Sequence, residues 1–200
     1  MIKPKDRAPR FMDRVAFRAW AAAQPRGRWE RQDGQVIAMA PERVRHTMVK
    51  YEVWQAFRTA LRNGDSDCQV IGDGVTVEID AGTDYEPDMV VTCGGKVNEE
   101  GVTAENPVII VEVLSPSTAN IDATAKLDNY FRLQSVRHYL LVSTESARVV
   151  HHRRQDKGAF LTSIHTKGQI DLDPPGISVN VSEFYQDTEL AEPAQPSEFP

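Results

Sequence analysis

The run Pro107-Val-Ile-Ile-Val-Glu-Val-Leu114 constrains this chain more than any other stretch. Nearly every residue is β-branched or aliphatic, so it reads as a central strand covered on both faces. Glu112 sits inside it. An unpaired carboxylate in such a place costs several kcal/mol or more, on the order of what buried charges cost generally. Glu112 must therefore be paired, protonated or bound to a cation. A purely structural ion pair with a Lys or Arg and an exposed strand end are the two plain alternatives.

Composition narrows the class. At 200 residues, with 40% hydrophobic and 26% charged side chains, the chain is one domain with tails and can bury a real core. The longest apolar run is Val108–Leu114, itself broken by Glu112, which leaves no room for a membrane span. The first ten residues carry charge but no apolar signal region. The 2 cysteines, Cys68 and Cys93, are too few for a disulfide framework or a four-thiolate zinc site. They read as small buried hydrophobes in a reduced, cytoplasmic protein. The net charge of −6 argues against a strong non-specific nucleic-acid binder. Its distribution is uneven: residues 1–62 hold 14 Lys/Arg against 6 Asp/Glu, and residues 63–200 hold 9 against 23. Such a chain can meet a polyanion with one part and cations with the other, or simply carry two solvated faces.

Residues 1–10 read as a flexible basic arm, 11–187 as the folded domain, and 188–200 as a disordered acidic, Pro-rich tail. Asp13 caps a helix to about Gln24. Asp33-Gly34 between two β-type runs signals a hairpin, because both turn positions need φ > 0. Val49, Val53, Phe57, Ala60 and Leu61 recur at helical spacing over 43–62, with Arg43, Arg45, Lys50, Arg58 and Arg62 making that helix basic. Strands are expected at 68–71, 74–79, 88–93, 107–114, 137–143, 148–153, 159–166, 168–172 and 177–181. A helix capped by Ser117 or Thr118 runs to about Gln134. The alternation predicts an α/β (α+β) fold: a mixed β-sheet flanked by helices, preceded by an N-terminal helix and β-hairpin.

Two further residues join Glu112. Asp88, in Glu86-Pro-Asp88, stands at the mouth of an apolar strand, where Pro87 is tolerated because no ladder donor is needed. Two acids on neighbouring strands repel unless a divalent cation lies between them, and carboxylate oxygens suit Mg²⁺ or Mn²⁺. Lys126 borders the apolar stripe Ala119, Ala123, Leu127, Tyr130 and Phe131 of its helix, from where its ammonium can reach the sheet. A surface pair with Asp122 is its bland alternative. Two acids and an amine make a metal-assisted hydrolysis set.

The phrases Trp-Glu-Arg-Gln-Asp-Gly-Gln-Val (29–36), the helix opened by His46, Glu-Pro-Asp-Met-Val-Val (86–91), Val-Glu-Val-Leu-Ser-Pro-Ser-Thr (111–118) and Lys-Leu-Asp-Asn-Tyr (126–130) stand in order. Over residues 12–186 they resemble the Uma-type endonuclease family of the PD-(D/E)XK restriction-endonuclease-like superfamily. The resemblance implies a core of helix, three antiparallel strands, helix and strand. It places the motif aspartate at Asp88 and the motif glutamate at Glu112. The superfamily's usual lysine position is Leu114 here, and the family's amine from the following helix corresponds to Lys126. Gln35 departs from a common family Glu, whereas Glu30 is retained and His46 falls at a family His. Glu30 and His46 are accessory candidates; a hairpin ion pair and an N-cap explain them equally.

The expected function is a Mg²⁺- or Mn²⁺-dependent DNA endonuclease, with Asp88 and Glu112 on the metal and Asp88, Glu112 and Lys126 as the catalytic set. Double-strand cleavage with one site per chain favours a homodimer. The alternatives are a nuclease-fold module without turnover that binds nucleic acid or a protein partner, and a structural Glu112–Lys126 pair. No phosphate-cradling P-loop and no G-x-S-x-G elbow is present, and Gly94-Gly95-Lys96 lacks the rest of the former. His151 and His152 point to opposite faces of a strand, and His138 reads as a strand edge.

Overall fold

The predicted central strand is the middle of a six-stranded sheet. In the computed structural model, which describes residues 11–114 and 122–191, helix α1 is Arg14–Ala22, with the Asp13 side chain accepting from Ala16 N–H at 2.8 Å. The hairpin follows as β1 (Trp29–Gln32) and β2 (Gln35–Ala38), turning on Asp33 (φ 50°) and Gly34 (φ 78°). Then come α2 (Val44–Asn63), β3 (Gln69–Gly72), β4 (Val77–Glu78), β5 (Asp84–Tyr85), β6 (Met89–Thr92) and β7 (Pro107–Leu114). Helix α3 (Asp122–Tyr130) leads to β8 (His138–Ser143), β9 (Val149–Arg154), β10 (Phe160–His165), β11 (Gln169–Leu172) and β12 (Ile177–Asn180).

The large sheet has the order β10-β9-β8-β7-β6-β3. Strands β3, β6 and β7 are antiparallel, and β8 runs parallel to β7 after the α3 connection. With α2 before them, this is the helix, three strands, helix, strand order implied by the resemblance. A smaller sheet, β2-β1-β5-β4, joins the large one through Glu86-Pro87-Asp88. Pro87 has no N–H to give, so pairing breaks there and the chain passes from one sheet to the other.

Each face of the large sheet has its own core. Val49, Val53 and Phe57 of α2 pack with Ile109, Val111, Leu140, Ile170, Val179 and Phe184 on one face. Tyr130 of α3 and Phe131 just after it pack with Val77, Tyr85, Val90, Ile110 and Tyr139 on the other. Strand β7 is thus covered on both sides, as its composition predicts; seven of its eight residues are buried.

Several expectations change. Cys68 and Cys93 are half-buried and form a disulfide. Residues Gln69 and Thr92 are paired in the β3–β6 ladder, so the two cysteines meet one step further along it. They are not separate buried thiols, and they carry no argument for a reducing compartment. His138 does mark the boundary of its strand, as the first residue of β8, but it is fully buried there and its Nδ1 lies 2.9 Å from His151 Nε2. His151 and His152 do face opposite sides: His152 meets Thr162 and stacks on Tyr139. Strand β4 is only two residues long, and β5, also two residues, is absent from the strands expected from sequence. Residues 188–191 do not begin a tail: Thr188 N–H bonds Tyr185 O, Glu189 pairs with Arg45, and Leu190 packs on the core. The basic arm, the α3 start at Ser117 or Thr118, and 192–200 lie outside the described residues. Among the described residues no helix is long and apolar enough to cross a membrane.

Candidate active site

Strand β6 pairs with β7 so that Met89 faces Val111, which sets Asp88 beside Glu112. Strand β7 continues past the end of β6, and its exposed peptide groups need partners. Asp88 supplies one: its Oδ2 accepts from Val113 N–H at 2.6 Å. His46 supplies the other, its Nε2 donating to Val113 O at 2.7 Å. One peptide residue, directly after Glu112, therefore fixes both side chains. His46 is the third residue of α2; Arg43 is the N-cap and makes no side-chain cap bond, so the capping explanation of His46 fails.

The two acids are approached from opposite layers. From the α3 side, Lys126 Nζ donates to Glu112 Oε1 at 3.1 Å and to Glu30 Oε1 at 2.9 Å. Tyr130 OH donates to the same Glu112 oxygen at 2.8 Å. Lys126 also lies 5.0 Å from the Tyr85 ring. Glu30 comes from β1 and accepts the N–H of Glu86 at 3.1 Å, which ties the hairpin to the sheet junction. From the α2 side, Lys50 Nζ lies 3.3 Å from Asp88 Oδ1. It also bonds Glu42 at 2.8 and 2.9 Å and contacts Asp73, which Arg28 reaches at 2.8 Å.

Glu30, Asp88, Glu112 and Lys126 are all buried. Burial, together with the negative charges of Asp88 and Glu30, pushes the Glu112 carboxyl up to about 7, against the pull of Lys126. Burial works to lower the pKa of Lys126, but Glu112 and Glu30 overcome it and hold the ammonium well above its ordinary value. Burial likewise opposes the charge on Lys50, and Asp88, Asp73 and Glu42 outweigh it.

The structure thus brings together all five residues singled out from sequence: Asp88, Glu112, Lys126, Glu30 and His46. Glu112 is neither solvent-facing nor paired with Lys126 alone, and the Lys126 ammonium meets Glu30 and Glu112. Reading the sequence missed Lys50, Glu42, Asp73 and Tyr130. A signal for Lys50 existed: His46, Val49, Lys50 and Val53 recur at the helical spacing of one face, so two polar residues lie along the buried stripe of α2. Lys50 therefore points inward rather than presenting charge to a polyanion, and Arg45 is spent on Glu145 and Glu189.

Cation-binding capacity follows from the donor set. Asp88 and Glu112 offer adjacent carboxylates, and one ligand atom each from Glu42, His46 and Asp88 lies within 4.8 Å of the others. Oxygen-rich sets of this kind suit Mg²⁺ or Mn²⁺.

Comparison with known proteins speaks to the fold and the family. A solved structure described as a putative nuclease belonging to DUF820, from Anabaena variabilis, superposes with a TM-score of 0.61 at 13% identity, covering 78% of this chain and 88% of that one. The likeness shows a restriction-endonuclease-like fold. An uncharacterized protein of Synechocystis sp., slr1290, is 28% identical over 156 residues, spanning 77% of this chain and 81% of its own length. The family model Uma2, described as "Putative restriction endonuclease", matches residues 15–182, and the chain belongs to that family.

Proposed function

We propose that this protein hydrolyses DNA phosphodiester bonds with the help of a divalent metal ion, Mg²⁺ or Mn²⁺, held by Asp88 and Glu112. The observation that carries this reading is the charge balance of the site: each ammonium is shared among several carboxylates, so the cluster has more negative charge than its own cations neutralise. Such a set has the chemistry to hold a hard divalent ion. The ion supplies Lewis acidity, polarising a phosphoryl oxygen and lowering the pKa of a bound water.

The chain's own residues divide the remaining work. Lys126 keeps its proton, so it acts as a fixed positive charge and hydrogen-bond donor towards phosphate oxygens and not as a base. Glu30 and Glu112 hold that ammonium in place. Tyr130 steadies Glu112, leaving its second oxygen for other partners. Val113 fixes the orientation of Asp88.

The test is cleavage of plasmid and linear DNA by nuclease-free protein with Mg²⁺ or Mn²⁺. Cleavage is expected in the wild type and lost in Asp88→Ala, Glu112→Gln and Lys126→Ala. Equal activity in wild type and all three variants contradicts the catalytic assignment. The second reading, a binding module without turnover, is favoured by Leu114 standing where the superfamily's lysine usually stands. It predicts Mn²⁺ binding and DNA retention with no cleavage of any substrate.

A further inference from the structure

Lys50 is a largely enclosed ammonium that the reaction proposed above does not use. Its Nζ sits among three carboxylates: Glu42 at 2.8 and 2.9 Å, Asp88 at 3.3 Å, and Asp73 in direct contact. Three acids converging on one small cation is the arrangement a divalent ion takes. The neighbouring imidazole points the same way. His46 Nε2 must carry a hydrogen, because the Val113 carbonyl that it meets at 2.7 Å can only accept. Metal-ligating histidines commonly orient themselves by donating the other ring nitrogen to a backbone carbonyl in this manner. Its Nδ1 is buried with no hydrogen bond among the described residues, 3.4 Å from Glu42 Oε2. That nitrogen and the Glu42 oxygen are two potential ligand atoms facing the same point, and the Lys50 ammonium now occupies the oxygen at 2.9 Å.

We propose that Glu42, His46 and Asp88 form a divalent-cation site that shares Asp88 with the Asp88–Glu112 pair, and that Lys50 is its built-in competitor. This rests on the metal-dependent reading above and assigns ligands and regulation beyond it. While the ammonium sits on Glu42 and Asp88, it neutralises the two oxygens a metal ion needs. Asp73 and Arg28 mark where it goes: Asp73 is half exposed, stands at the end of β3, and can retain the long lysine side chain when Glu42 and Asp88 turn to the ion. One imidazole with two carboxylates favours Mn²⁺ over Mg²⁺, since nitrogen ligands suit the softer ion.

The experiment is titration of the full chain with Mn²⁺, following free ion by electron paramagnetic resonance at fixed ionic strength. Lys50→Met keeps the length and removes the charge. It should bind Mn²⁺ about tenfold or more tightly than wild type, the effect of deleting a unit charge a few Å from an ion. Glu42→Gln should weaken binding by about tenfold or more, alone or combined with Lys50→Met, whereas Glu112→Gln should leave the Lys50→Met gain intact. A folded Lys50→Met with unchanged or weaker affinity overturns the proposal. If Lys50→Met does not fold, Glu42→Gln in the wild-type background decides: loss of affinity supports the site, and unchanged affinity overturns it. Wild type that binds Mn²⁺ without regard to Lys50 or Glu42 sinks this inference alone. Absence of Mn²⁺ binding in folded wild type and Lys50→Met sinks the metal-dependent reading with it.

Discussion

Glu30 and Arg31 are consecutive residues of β1, both buried, and they enter two ion clusters of opposite character. Arg31 meets Asp84 through Nε at 2.8 Å and a terminal nitrogen at 2.5 Å, and its other N–H groups reach the carbonyls of Met12 and Ala81 at 3.1 Å. Arg14 adds a second cation to Asp84 at 2.8 Å. Arg14 also meets Glu78 at 3.0 Å, which Arg18 holds as well, so three guanidiniums serve two carboxylates. On the other face, Lys126 serves Glu30 and Glu112, and beside it Asp88 shares Lys50 with Glu42 and Asp73. The first cluster is saturated; the second is short of positive charge. Both have buried centres and both are built on the same strand, so burial alone does not separate a structural ion pair from a reactive one. The ratio of cations to acids does.

The difference breaks down if variants in the two clusters behave alike. The largest effect is expected on cleavage: Asp88→Asn or Lys126→Ala should lower it by about a hundredfold or more, in line with loss of an electrostatic or acid–base group. Asp84→Asn should instead act on stability. It leaves Arg31 buried without its partner, which costs about 3–5 kcal/mol, read from urea unfolding, while cleavage per folded molecule is retained. Opening the Cys68–Cys93 bridge, with a sequence separation of 25, should cost about 3.5 kcal/mol by chain entropy. Because the bridge follows the end of β6 away from Asp88, cleavage by the folded fraction should persist; loss of cleavage would show that the β3–β6 ladder holds the site.

The last effect, small when read as a slope per pH unit, concerns a third buried polar group, a pair of uncharged imidazoles. Burial lowers the pKa of His138 to about 4, and burial with the nearby His138 lowers that of His151 to about 3. Both rings are neutral in the fold, whereas in the unfolded chain they take protons below about 6.5. The unfolded state thus binds more protons, and stability rises with pH. It is fully present above pH 6.5 and is lost as pH falls towards 4, by at most about 1.4 kcal/mol per pH unit for each ring. His151→Gln should flatten that slope in urea titrations between pH 7 and 4.5; an unchanged slope would assign the acid sensitivity to the carboxylate clusters.

Sequence reading reaches the parts of this molecule that depend on local pattern. Strand β7 and its misplaced Glu112, the Asp33-Gly34 turn, the capped α1 and Lys126 at the rim of an apolar stripe all follow from neighbours a few positions away. The remainder depends on pairing between distant segments. Strand β5 is two residues long and has no periodicity to detect, yet its register with β1 places Asp84 on Arg31. Lys50 looks like one more basic residue until Glu42, Asp73 and Asp88 are brought to it by α2, β3 and β6. The two cysteines, read as separate thiols, meet only because Gln69 pairs with Thr92.

Glu112→Gln, with urea stability and Mn²⁺-dependent DNA cleavage determined on the same preparation at pH 8, tests the central claim most directly. The Glu112 carboxyl is held near 7, so at pH 8 its charge is carried at a cost to the fold, and Lys126 retains Glu30 when that charge is removed. The account predicts stability equal to or above wild type and cleavage abolished. Stability lost with cleavage intact would make Glu112 a structural counter-ion and contradict the account.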